Sequence, residues 1–78
     1  MSEIERLRDM LTKRHVPFTD TANGGINFWL GGNECWANPT KDGGLYGGVG
    51  LMPWQCAQAK NAEKMLHWCM WNLGLEDA

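Results

Sequence analysis

Ile26-Asn27-Phe28-Trp29-Leu30-Gly31-Gly32-Asn33-Glu34-Cys35-Trp36-Ala37-Asn38 reads as two strands joined by a tight turn. Side chains of a strand alternate between faces, and a Gly-Gly pair between two alternating runs marks a hairpin, because glycine accepts the positive φ that such turns need. The strands are expected over 26–30 and 34–38. A two-residue turn sets Leu30 opposite Asn33, Phe28 opposite Cys35 and Ile26 opposite Ala37. Ile26, Phe28, Leu30, Cys35 and Ala37 then share one face, and Asn27, Trp29, Glu34 and Trp36 the other. A three-residue turn instead brings Glu34 and Asn38 beside Ile26 and Leu30 and turns Trp36 into the core. A one-residue slip inverts every side chain, so the two registers differ in which face is apolar, and the first collects the better core.

Working outward, Asn23-Gly24-Gly25 precedes this hairpin, and Asp42-Gly43-Gly44 is a second turn leading to a third strand over 45–51. Leu45, Val49 and Leu51 join the apolar face with Gly47, and Tyr46, Gly48, Gly50 and Met52 take the other. Toward the N-terminus, Ser2 and Glu5 have capping-box spacing, and Ile4, Leu7 and Leu11 form one helical stripe. Val16-Pro17 ends that helix, since the residue before proline is pushed out of the helical region, and the chain from Phe18 to Thr21 can be extended. Toward the C-terminus, Met52-Pro53-Trp54 opens a second helix, with proline in the first turn where its missing N–H costs nothing. It runs to Asn72 and stops before Gly74, a C-terminal cap. At 100° per residue, Ala62, Met65, Leu66, Cys69 and Leu73 form its apolar arc. Lys60, Glu63 and His67 mark the solvated side, Met70 one border, and Lys64, Trp68 and Trp71 the other. The expected fold is a single α+β domain over 1–78: an N-terminal helix, a three-stranded antiparallel β-meander, and a C-terminal helix packed on one face of the sheet.

The chain has 78 residues, with seven Lys and Arg against nine Asp and Glu for a formal charge of −2. A domain of this size buries only about 60–65% of the surface of its unfolded chain, which argues against a large internal cavity. The charge argues against direct nucleic-acid binding, which draws on a basic excess. No basic-then-apolar leader opens the sequence, and no apolar run approaches the roughly 18 residues of a membrane span. Three cysteines without close pairing fit a reducing cytoplasm better than an oxidised framework.

Chemistry-bearing patterns are sparse. Cys56 and Cys69, placed on one helix, would lie roughly 20 Å apart along its axis, too far to share a metal ion. There is no Cys-x-x-Cys, His-x-x-x-His or phosphate loop followed by lysine. Cys35 beside Glu34 and Trp36 has no histidine near it in sequence. No catalytic set, metal or cofactor is expected, and the glycines from Gly43 to Gly50 are explained by hairpins.

Five tryptophans carry the functional signal instead. Trp29, Trp36 and Tyr46 form an aromatic ledge on the outer face of the meander, beside a strip without side chains at Gly48 and Gly50. Trp68 and Trp71 are neighbours on the second helix, with Lys64 one turn before Trp68 and in reach of a cation–π contact. Cross-strand aromatics also serve stability alone, and a border tryptophan such as Trp68 can close the rim of a small core. Trp71 points nearer the charged side, and tryptophan is the residue most enriched in binding hot spots.

The helix Glu5-Arg6-Leu7-Arg8-Asp9-Met10-Leu11 ending in Lys13-Arg14-His15-Val16-Pro17-Phe18, the tryptophan-bearing strands, and the Pro53-x-Gln55-x-Ala57 helix start together resemble small uncharacterised proteins of bacteriophages and prophages. The chain departs from that pattern where its last helix runs on with Trp68 and Trp71. The resemblance implies an anti-defence role of the anti-CRISPR type: a non-catalytic inhibitor that occupies a surface of a host protein complex, with no residue role carried over. The alternative expectation is a nucleotide or small-ligand sponge that stacks its ligand on exposed aromatics, as a homodimer whose two ledges form one pocket.

Overall fold

Gly31 and Gly32 carry φ of 57° and 83°, the two positive values of a type I′ hairpin turn. The turn is therefore the two-residue one. It pairs Ile26 with Ala37, Phe28 with Cys35 and Leu30 with Asn33. The structure, a computed structural model, describes residues 1–50 and 55–75. Its elements are α1 (Glu3–Lys13), β1 (Phe18–Asp20), β2 (Ile26–Leu30), β3 (Asn33–Pro39), β4 (Leu45–Val49), β5 (Cys56–Ala59) and α2 (Ala62–Asn72). The strands form one antiparallel sheet in chain order.

The α+β class holds, and the sheet is larger than the expected meander: five strands rather than three. One addition is β1, in the extended stretch after Pro17, where Phe18 pairs with Phe28. The other corrects the expected helix. Residues 56–59 form a strand against β4, and α2 begins only at Ala62. Its N-cap is Asn61, whose Oδ1 accepts the Lys64 N–H at 2.9 Å. Gln-Cys-Ala-Gln-Ala has no strong preference of its own, so pairing with the open edge of β4 decides its conformation. Gln55 and Ala57, read as part of a helix start, thus precede α2. Cys56 is on a strand and not on the helix of Cys69. The third strand ends at Val49 rather than at Leu51, and Gly50 turns at φ 65°. The helix-opening role of Met52, Pro53 and Trp54, and the inward position of Leu51, lie outside the described residues.

Both helices cover one face of the sheet. Ile4, Leu7 and Leu11 from α1 and Met65, Leu66 and Cys69 from α2 are buried against Ile26, Phe28, Leu30, Cys35, Ala37, Leu45 and Val49. The α1 capping box forms as the spacing predicts: Glu5 N–H donates to Ser2 Oγ at 3.3 Å, and Ser2 N–H donates to Glu5 Oε1 at 3.4 Å. Both helices end in the same motif. Val16 N–H reaches Leu11 O and Leu75 N–H reaches Met70 O, each at 2.9 Å. Gly74 takes the left-handed position in α2, as expected, and His15 takes it in α1.

The helices are also tied to each other. Glu3 Oε1 accepts the Ala62 N–H at 2.9 Å, satisfying a free donor at the start of α2, and Arg6 bridges to Glu63. The Ala62 N–H, with Arg6 in support, lowers the Glu3 pKa from its ordinary 4.5. A lowered carboxylate stabilises the fold above its unfolded pKa, and that contribution is lost as pH falls through the folded pKa. Denaturant titrations are therefore expected to show wild type losing stability from about pH 4.5 downward. Glu3→Gln should be less stable at neutral pH and should have a shallower acid slope. Identical slopes would show that the Glu3–Ala62 tie contributes nothing.

Candidate functional site

The expected aromatic residues fall into two groups, on opposite layers of the molecule. Trp29 and Trp36 are half-buried and Tyr46 is 37% exposed on the outer sheet face, away from both helices. Trp36 and Tyr46 meet edge to face with ring centroids 5.3 Å apart, the favoured geometry for a ring pair. Tyr46 Oη and Cys56 Sγ are 3.0 Å apart, and this contact raises the Tyr46 pKa. The strip beside these rings is open at Gly50, where a Cβ would meet nothing within 4 Å, but not at Gly48. Gly48 is buried and paired with Cys56, and a Cβ on Gly48 would lie 2.4 Å from the Gln55 carbonyl oxygen. β5 has closed over backbone that an isolated three-stranded meander would leave open.

Lys64, Trp68 and Trp71 lie in the helical layer, where they meet β5 from the other side. A groove of about 580 Å³ runs between β5 and α2, lined by Ala57, Ala59, Lys60, Lys64, Trp68 and Trp71 among others. Ala57 and Ala59 sit on the inner face of β5, opposite Gly47 and Leu45. Small residues there leave the depth that tryptophans wall in. Trp68 is half-buried and packs on the core, closing its rim, whereas Trp71 is 52% exposed. The Lys64–Trp68 cation–π contact is not among the ring contacts of the described residues. Sequence reasoning missed Ala57 and Ala59 because it placed them on the helix itself. Asn61, an N-cap type ahead of the apolar arc, was the signal that would have moved the helix start.

The groove also has an electrostatic bias. Glu63 lines it but is held by Arg6, while Lys60 and Lys64 make no ion pair among the described residues. A chain of net charge −2 thus presents a positive rim at this groove. A second depression of about 560 Å³ adjoins it at the β3–β4 turn, with Thr40 and Asp42 on its wall. Asp42 accepts from the Thr40 hydroxyl and from the Gly44 N–H, which lowers its pKa. These bonds serve the turn itself.

Two of the three cysteines lie in the core, and Cys56, on β5, is half-buried. Cys35 and Cys69 are fully buried between β3 and α2, and the Cys35 thiol together with burial pushes the Cys69 pKa up. A thiol kept neutral by burial, as Cys69 is, makes a poor nucleophile, while the contact with Cys69 lowers the pKa of Cys35. Among the described residues no three His, Cys, Asp or Glu side chains gather where a metal ion could sit, and no helix is long and apolar enough to cross a membrane. In comparison with known proteins, no family model, curated protein or solved structure matches this chain.

Proposed function

We propose that this chain is a non-catalytic binding domain of the anti-defence type, which inhibits a host protein complex by docking Trp71, Trp68 and Lys64 against it. The observation that carries the reading is the groove between β5 and α2, where two tryptophans stand over a floor of alanines. Aromatic area next to a pocket is the usual composition of a binding hot spot. The phage-like layout of α1 and the tryptophan-bearing strands supports the host setting, and with it a site of action in the bacterial cytoplasm. Trp29, Trp36 and Tyr46 form a separate surface on the far side of the sheet, so one flat partner surface cannot engage both groups.

Capture from host lysate with wild type, Trp71→Ala, the Trp68→Ala/Trp71→Ala pair and the Trp29→Ala/Trp36→Ala pair tests this, with circular dichroism confirming that each variant folds. Removing a hot-spot tryptophan costs at least about 2 kcal/mol, some thirtyfold in affinity. Trp71→Ala is exposed and should weaken capture by that order without loss of fold. Equal recovery of every partner by all variants would overturn the reading.

The groove volume also favours a second reading. About 580 Å³ is within the range of small-ligand sites, and tryptophan faces beside lysines suit a nucleotide. The concavity expected to need a dimer is present within one chain. A melting-temperature screen against adenine and cyclic nucleotides separates the two, because a tight ligand must raise the transition. No shift across the panel would remove the sponge.

A further inference from the structure

The two edges of the sheet are built differently. β1 is three residues long. Pro17 precedes it, and Asp20 is bridged to Arg8 of α1 at 2.7 Å. Proline, charge and short length are the usual protections of an edge strand against pairing. β5 has the groove beside it instead. Its hydrogen-bond parity follows from the Val49 N–H donating to the Gln55 carbonyl at 3.0 Å. Counting on in twos, Ala57 and Ala59 face β4 with their backbone groups, and Gln58 turns its N–H and C=O to the outer edge.

We infer that β5 accepts an extended acidic peptide as a sixth strand, with alternate apolar side chains of the peptide entering the groove and carboxylates flanking them reaching Lys60 and Lys64. A strand added beside β5 has its side chains alternately inward and outward. Those level with Ala57 and Ala59 point inward, onto the floor walled by Trp68 and Trp71. Charge selects the occupant. With Glu63 held by Arg6, the rim offers two lysine ammonium groups and no uncommitted carboxylate among the described lining residues. A second copy of this chain brings the same two lysines to the edge, so self-pairing sets like charges together, whereas an acidic segment neutralises them. The inference rests on the groove being the docking site and adds the chemistry of what docks.

The test uses the full chain and two capped hexapeptides with a valine-threonine-valine-threonine centre, one carrying a glutamate at each end, the other a lysine at each end. Amide NMR reports where each binds. Saturable shifts at Gln58, Lys60 and Trp71 with the glutamate peptide, slowed exchange of the Gln58 amide, and about tenfold or greater weakening in the Lys60→Glu/Lys64→Glu variant are the expected results. An N-methylated glutamate peptide, unable to form the strand bonds, should lose binding. Equal binding of the lysine peptide, shifts confined to Trp29 and Trp36, or no binding of either peptide would overturn the inference. So would protection of Gln58 without peptide that rises with protein concentration, because it assigns the edge to a second copy. Capture lost in Trp71→Ala while neither peptide binds would leave the docking reading intact and remove only this one.

Discussion

Gly47→Ala is expected to destabilise the fold by about 3 kcal/mol, the upper end of the usual cost of overpacking. Gly47 sits in β4 on the inner face, between Ala37 of β3 and Ala57 of β5. A Cβ there would lie 2.3 Å from the Trp36 carbonyl oxygen and 3.1 Å from Met65 Sδ. The methionine can swing aside, but the carbonyl belongs to the β3–β4 ladder and cannot move without opening it. The residue is glycine for room, since its φ lies outside the left-handed region. A domain of 78 residues has a total stability of about 4–12 kcal/mol, so this one methyl removes a large share. The effect reaches the groove as well, because β4 carries β5 on its other edge. Urea titration measures the loss, and a midpoint within error of wild type would show that the ladder yields more readily than its geometry indicates.

Phe28→Ala should cost about 3–5 kcal/mol. Phe28 is the largest of the fully buried side chains and stands in the middle of β2, between Phe18 and Cys35 on the neighbouring strands. Truncation removes its transfer free energy and leaves a cavity that strands pinned on both sides cannot collapse. Phe28→Leu keeps most of the volume and should lose no more than about half as much. The pair of variants separates packing from general intolerance. Equal losses for leucine and alanine would mean that ring shape, rather than filled volume, sets the stability of this core.

These two positions also show how legible the chain was. Phe28 is inward by alternation alone once Gly31-Gly32 is read as a two-residue turn, and the same reasoning gave every buried position of β2 and β3. The faces of β4 and the buried arc of α2 from Ala62 to Cys69 were equally readable. Gly47 was assigned to the apolar face, but the reason for its being glycine was not visible, because that reason is the carbonyl of Trp36 and the sulfur of Met65, residues 36 and 65 in a chain where neighbours say nothing about them. The candidate site divides in the same way. Half-burial of Trp68 and exposure of Trp71 followed from helical angle. The groove did not, because its floor is Ala57 and Ala59, and these were read as helix.

The sequence by itself determined α1 with its capping box, the hairpin register and the face of every residue in it, because each depends on signals a few residues apart: cap spacing, alternation and turn glycines. Only the tertiary structure decided that residues 56–59 are a strand. Gln-Cys-Ala-Gln-Ala is indifferent between helix and strand, and the hydrogen bonds that choose come from β4, a partner local pattern cannot announce. That single nonlocal choice covers the β4 edge at Gly48 and leaves a groove on the inner face between β5 and α2, with Trp68 and Trp71 on its wall.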